Sequence, residues 1–152
     1  MNPLLSIKGT IISGFILSAV LVLAIGGKLV EIEHYIRWLH YLSGITWIGL
    51  LYYFNFVQVP ALKDAAADGT GAGITKHVAP LALLWFRWAA LATWLAGAAL
   101  LGSSFTDTFL LSDGYEAIGI GSWMGTIMLF NVWGLIWPNQ QKILGMKKAT
   151  DE

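Results

Sequence analysis

The sequence contains no cysteine, and this absence removes several kinds of site at once. Without thiols the chain cannot form disulfides, thiolate metal sites or iron–sulfur clusters. Covalent attachment of haem c is excluded as well, because it needs a Cys-x-x-Cys-His motif. Any metal or haem would therefore have to be held by histidine, methionine, carboxylate or neutral side chains.

Charge is also scarce, since 12% of the 152 residues are charged and the formal net charge is zero. Soluble domains usually carry about 25% charged residues. A balanced charge offers no general attraction for nucleic acid, so a nucleic-acid partner is not expected. Hydrophobic residues instead make up 57% of the chain, and the mean hydropathy is +0.66. This composition is typical of a protein that sits in a lipid bilayer.

The apolar residues are gathered in blocks close to the length of about 20 residues that a bilayer span requires. Inside lipid the backbone must form its hydrogen bonds within the segment, so each block is predicted to be a helix. The sequence thus predicts an all-α integral membrane four-helix bundle in a single domain, 1–152. The predicted spans are 10–28, 36–59, 78–102 and 117–137, joined by a charged turn at 28–35, a glycine-rich loop at 60–76 and an acidic loop at 103–116.

The first apolar block has two interpretations. Its short apolar core, preceded by Lys8, resembles a signal peptide that is cleaved after export. However, Gly26-Gly27-Lys28 lacks the small-x-small pattern of a good cleavage site. A retained span is therefore predicted, and a cleaved signal followed by three spans is the alternative.

Lysine and arginine are distributed unequally between the two sides of the predicted bundle. The amino terminus, the second loop and the carboxyl-terminal tail together carry six of them, and the opposite side carries two. The six are Lys8, Lys63, Lys76, Lys142, Lys147 and Lys148, and the two are Lys28 and Arg37. Because positive charge is retained in the cytoplasm, this pattern predicts a multi-pass protein of a bacterial-type inner (plasma) membrane with both termini cytoplasmic.

Ionisable side chains inside a span are costly, which makes His40 a functional candidate. At helical spacing, His40 shares one face of the second span with a polar stripe, namely Gly44, Trp47, Leu51, Asn55 and Gln58. Gly44 would let a flat ring or another helix approach, and a neutral imidazole can ligate haem iron. Met124 is a weak candidate for a second axial ligand, although methionine in a span usually only packs. The alternative for His40 is an interhelical hydrogen bond or a hydrated histidine at the interface.

Arg87 is the second ionisable side chain within a span. Asn55, Gln58 and Asn131 fall in the same half of their own predicted spans, so a cluster of Arg87 with these amides is available. It would bind an anionic group such as a haem propionate or a substrate carboxylate. The alternatives are a structural polar cluster, or an arginine that snorkels to the membrane surface.

Three segments, in order along the chain, carry a resemblance to a known family. They are RWLHYLSGITWIG at 37–49, WFRW at 85–88 followed by WLAG at 94–97, and NVW at 131–133 followed by IWPNQQ at 136–141. Together they resemble the membrane domain of cytochrome-type urate oxidases over about residues 36 to 145. More loosely, the Leu-His…Trp-x-x-Gly pattern is similar to membrane protoporphyrinogen oxidases and copper-resistance D proteins.

The resemblance implies a redox-linked membrane bundle in which His40 matches the family's span histidine and binds haem b. Arg87, Asn55 and Asn131 match family motif positions and are expected to contribute to the cofactor site. Full-length members also carry a C-terminal cytochrome c, for which this sequence has no cysteine. The expected function is thus a membrane redox module, linked to an oxidase or electron-transfer chain. The alternatives are an accessory or assembly subunit of a larger respiratory or oxidase complex, and a small oligomeric bundle that binds an anion at Arg87.

Overall fold

The computed structural model describes Asn2, residues 5–24 and residues 31–143. Within these residues four helices are long and apolar enough to cross a membrane. They are α1 (Ile7–Ala24), α2 (Ile32–Ala67), α3 (Ile74–Phe109) and α4 (Glu116–Ile143). The all-α prediction is confirmed, and the chain is a multi-pass membrane protein.

The chain divides into two units, residues 1–35 and residues 36–152. In the first unit, α1 has no buried residue and is apolar around its whole circumference. An all-round apolar surface is what a helix surrounded by lipid requires. The predicted span 10–28 agrees with α1 as far as Ala24, and residues 25–28 lie outside the described part of the chain.

The predicted turn at 28–35 and the predicted loop at 60–76 are wrong in their extent. Helix α2 already begins at Ile32 and continues to Ala67, and α3 begins at Ile74. The reason is local composition, because the stretch ALKDAAA at 61–67 consists mostly of strong helix formers. Only residues 68–73 remain to connect α2 to α3.

That connection is held by Asp68 and Gly69. One carboxylate oxygen of Asp68 accepts hydrogen bonds from the Thr70 hydroxyl at 2.5 Å and the Thr70 backbone N–H at 3.1 Å. These bonds favour the charged form and lower the pKa of the exposed Asp68 carboxyl. Gly69 has a φ of 76°, which a glycine adopts without steric cost. The resulting turn lets α3 run back beside α2.

The predicted acidic loop at 103–116 is also shorter than expected. At Gly102 the backbone has a φ of 51°, which interrupts the regular helix. The chain then forms a 3₁₀ turn at Gly102–Ser104 and a short helix at Phe105–Phe109. Non-helical backbone is confined to residues 110–115 before α4 begins.

Each of the three long helices in the second unit contains one wider π-helical stretch. The stretches are Phe54–Gln58 in α2, Ile74–Val78 in α3 and Asn131–Ile136 in α4. A proline follows every stretch by two residues, at positions 60, 80 and 138. Proline has no N–H to donate and its ring clashes with the carbonyl four residues earlier, which in all three cases lies in the π stretch. The wider turns therefore let the helices continue through their prolines.

The core of the second unit lies in the half of the bundle nearer residues 68–73. Its buried members come from α2, α3 and α4 and comprise Trp47, Phe86, Ala89, Ala90 and Val132. Phe54 meets Phe86 edge-on with ring centroids 5.3 Å apart. The other half of the unit, nearer residues 110–115, is packed less completely and contains a cavity.

Candidate functional site

A cavity of about 500 Å³ opens between α2, α3 and α4 in the half nearer residues 110–115. We call it the His40 cavity. Its lining includes His40 and Trp47 from α2, Thr93 and Gly97 from α3, and Gly121, Ser122 and Gly125 from α4. All of these residues belong to the second unit. Sequence reasoning singled out His40 and Trp47 for this site and did not connect the α3 and α4 residues with them.

The imidazole of His40 is held by a single hydrogen bond to the neighbouring helix. Its Nδ1 lies 2.9 Å from the backbone carbonyl oxygen of Thr93. A carbonyl can only accept, so Nδ1 carries the proton and donates, and in the neutral ring Nε2 keeps its lone pair. Nε2 forms no hydrogen bond with any residue that the structure describes. The predicted interhelical hydrogen bond is thus confirmed for one ring nitrogen, and the other is available to a ligand.

Gly97 provides the space that the imidazole occupies. A Cβ at Gly97 would lie 3.0 Å from Cε1 of His40 and 3.2 Å from Nδ1. Any larger residue would press on the ring edge that bonds Thr93. Gly97 lies one turn after Thr93 on α3, so one short stretch of helix supplies both the hydrogen-bond acceptor and the room for the ring.

Gly97→Ala is expected to displace the imidazole by a few tenths of an ångström and weaken its bond to Thr93. Gly97→Val, with two more carbons at the ring edge, should displace it further. The ¹⁵N resonances of histidine, recorded on the full chain in detergent or nanodiscs, report the hydrogen bonding of Nδ1. Gly49→Ala is the matched control, because a Cβ at Gly49 meets nothing within 4 Å. Identical Nδ1 resonances in the Gly97 and Gly49 variants would contradict the steric role of Gly97.

Trp47 lies where the cavity meets the packed core. Its side chain is 5% exposed and belongs to the buried core. Its indole N–H has no hydrogen-bond partner among the described residues. A buried donor without an acceptor costs about 1–3 kcal/mol, which makes such groups rare unless a water or ligand completes them. The indole nitrogen is itself buried from solvent, so this unsatisfied donor lies within the packed core beside the cavity.

Two hydrogen bonds hold the α4 side of the cavity. Nε1 of Trp94 donates to the Thr126 hydroxyl at 2.8 Å, which ties α3 to α4. Nε1 of Trp123 donates to the Phe109 carbonyl at 2.9 Å, which ties the short helix at the end of α3 to α4. Phe109 itself lines the cavity, so this short helix forms part of its wall.

The sequence predicted that Gly44 would let either a flat ring or another helix approach, and in the structure a helix lies there. A Cβ at Gly44 would lie 3.6 Å from Cγ2 of Thr93, so this glycine faces the packed surface of α3. Gly121 and Gly125 behave in the opposite way, because a Cβ at either position meets nothing within 4 Å. These two glycines therefore border the cavity and do not pack against another described helix.

Met124, the weak candidate for a second ligand, lies outside the cavity lining. Its side chain is 58% exposed, whereas Gly121 and Gly125 on the same helix face the cavity. On a helix, Met124 is rotated away from the face that they share. Its placement offers no support for the role of axial ligand.

Arg87 contacts an aromatic ring and makes no hydrogen bond to the amides predicted to surround it. Its Cζ lies 3.7 Å from the ring centroid of Trp137, an arrangement typical of cation–π contacts. Asn55 donates to the carbonyl of Leu51 in its own helix at 2.8 Å.

The other two amides of the predicted cluster are also separate from Arg87. Asn131 is exposed, and Gln58 is buried with its carbonyl oxygen unpartnered. The predicted cluster is therefore not joined by hydrogen bonds in the part of the chain that the structure describes.

Chemically, the His40 cavity offers a neutral nitrogen ligand and no acid–base pair. None of the residues that line it is an aspartate or a glutamate. Among the described residues no group of three or more histidine, aspartate or glutamate side chains could hold a metal ion. A single imidazole in an apolar cavity can hold a metal only when the metal brings other ligands with it, as in a porphyrin.

No family model, curated protein or solved structure matches this chain.

Proposed function

We propose that the chain is a small membrane redox module that binds haem b through Nε2 of His40. One observation carries the proposal: Nδ1 of His40 donates to the Thr93 carbonyl, and Nε2 of this cavity-lining residue makes no hydrogen bond to any described residue. Histidines that ligate metals usually donate their other N–H in this way, because the bond sets the tautomer and the ring orientation. The resemblance to urate oxidase membrane domains points to the same residue.

The shape and polarity of the cavity also suit this cofactor. A volume of about 500 Å³ lies within the range of about 300–1,000 Å³ that is usual for ligand sites. Small residues line the α3 and α4 sides, so a flat ring can approach both helices. Arg37 also lines the cavity, so a positive charge borders the space where a carboxylate at the edge of the cofactor would lie.

Bound haem b would supply one-electron transfer. The residues of the chain would hold the imidazole in one tautomer and line the site mostly with apolar side chains. Under the predicted topology, the His40 cavity opens on the non-cytoplasmic side of a bacterial-type inner membrane. The module would exchange electrons with a membrane oxidase or respiratory complex there.

The test is the optical spectrum of the purified full-length chain, expressed with ample haem and reduced with dithionite. We expect a b-type α-band and a nearly stoichiometric haem content by the pyridine haemochrome method. A colourless protein that is folded by circular dichroism would overturn the proposal.

A second candidate is a non-catalytic accessory or assembly subunit of a larger respiratory or oxidase complex, or a homo-oligomer. The observation in its favour is α1, an apolar helix without a polar face, whose composition suits contact with other membrane helices as well as with lipid. Migration with a large complex on a native gel, without a bound chromophore, would support this alternative. A pigmented protein that migrates as a monomer would argue against it.

A further inference from the structure

The side chains that line the His40 cavity include no second strong iron ligand. The usual axial ligands of haem are histidine, cysteinate, methionine and tyrosinate. Besides His40, only Tyr41 among the lining residues belongs to these types. Tyr41 is next to His40 on the same helix, and it is 60% exposed. It therefore lies on the helix that already supplies His40 and cannot approach from the α4 side.

The α4 side of the cavity is open instead of filled. Gly121 and Gly125 present only backbone to it, and the space where their side chains would lie is free of other atoms within 4 Å. An open wall of this kind leaves room beside a flat cofactor.

Ser122 lies between these glycines, and its hydroxyl differs from four other hydroxyls on α2, α3 and α4. Those of Ser43, Thr46, Thr93 and Thr126 each donate to the carbonyl four residues earlier, at 2.6–2.9 Å. This back-bonding is the usual arrangement for serine and threonine within a helix. The Ser122 hydroxyl makes no such bond and no hydrogen bond to another described residue, although it lines the cavity.

We propose that iron held by His40 keeps one coordination position open on the α4 side of the cavity, where a diatomic ligand binds and accepts a hydrogen bond from Ser122. This inference rests on the proposed haem function and extends it from electron transfer to the binding of a small gas. A second imidazole or a thioether would have occupied that position. The glycine wall keeps the position accessible, and Ser122 supplies the donor.

Carbon monoxide is the probe, added to the dithionite-reduced, haem-loaded full chain. We expect a shift of the Soret band that saturates at one CO per haem. Ser122→Ala removes the donor without adding volume, and it should raise the CO dissociation rate about three- to tenfold, the usual effect of losing one neutral hydrogen bond. Ser43→Ala is the matched control, because Ser43 bonds its own helix and lies outside the cavity lining.

Gly125→Leu provides a second, steric test. Its side chain would fill the open space on the α4 side while leaving His40 and Thr93 untouched. We expect CO to bind at least tenfold more slowly, per haem retained, than in the Gly49→Ala control.

The outcomes separate this inference from the proposed function. The absence of an α-band before CO is added would refute the proposed function itself. A protein with a normal α-band, a six-coordinate low-spin spectrum and no response to CO overturns the open position and leaves haem binding intact. Equal CO dissociation rates in Ser122→Ala and Ser43→Ala would overturn the assignment of Ser122 as the donor.

Discussion

Replacing His40 with glutamine is expected to remove haem from the protein while leaving the fold intact. The glutamine amide can still donate a hydrogen bond to the Thr93 carbonyl, which His40 Nδ1 now does at 2.9 Å. It cannot replace an imidazole as an iron ligand, since amide nitrogen has no available lone pair. The haem-to-protein ratio should fall at least tenfold, and the melting temperature of the haem-free protein should change by no more than a few degrees.

This variant distinguishes ligation from a purely structural role. If His40 served only to link α2 and α3, glutamine would preserve that link, and the haem-to-protein ratio would not change. His77→Gln is the control, because His77 is exposed in the π stretch at the start of α3, far from the cavity. A haem content in His40→Gln equal to that of His77→Gln would refute ligation by His40.

Imidazole added to His40→Gly offers a positive test of the same point. The deleted side chain leaves a space beside Gly97, where free imidazole can bind and present its nitrogen to the iron. We expect the α-band to return with increasing imidazole concentration. A misfolded protein would not regain the α-band. Its return would therefore show that His40→Gln loses haem because the iron ligand is missing.

Gly119→Ala is expected to cause the largest loss of stability among the single substitutions of glycine. A Cβ at Gly119 would lie closer than 3.0 Å to the Thr108 carbonyl oxygen and to Cδ2 of Leu111. Thr108 is fully buried, and Leu111 has a φ of 55° in the tight connection to α4. The Leu111 side chain can rotate away, but the Thr108 carbonyl belongs to the backbone of a fully buried residue, so the short helix at Phe105–Phe109 would have to separate from α4. Overpacking of this kind costs about 1–3 kcal/mol and occasionally more.

The measurement is unfolding of the haem-free chain by heat or by denaturing detergent. Gly121→Ala is the matched control on the same helix, because a Cβ there meets nothing within 4 Å. Alanine is the better helix former, so the control should be as stable as the natural chain or slightly more so. Equal melting temperatures for the two variants would show that the contact between Gly119 and Thr108 does not hold the two segments together.

Much of the fold could be predicted because the bilayer imposes strict rules on sequence. A span must be about 20 residues long, apolar and helical, so the apolar blocks alone identify four helices. The ends of the helices were harder to predict, since residues outside the hydrocarbon may be helical or not. There local composition decides, as in the alanine-rich end of α2 and the short helix that follows Gly102.

The site was predicted in part. His40 and Trp47 stand out because a histidine inside a span is costly and both lie on one face of one helix. Gly97 ends the segment WLAG at 94–97, but nothing in the sequence connects it with His40. Arg87 was placed among amides by its depth in the membrane, whereas its contact with Trp137 depends on how α3 and α4 rotate against each other.

The sequence by itself determined that this is a four-helix membrane protein, without cysteine chemistry, that carries a histidine within a span. Tertiary structure decided which nitrogen of that histidine remains available, because the Thr93 carbonyl belongs to another helix. It also decided that Gly44 packs against α3 while Gly121 and Gly125 border a cavity. The physical reason is that the period of a helix defines its faces, and only packing determines what each face meets.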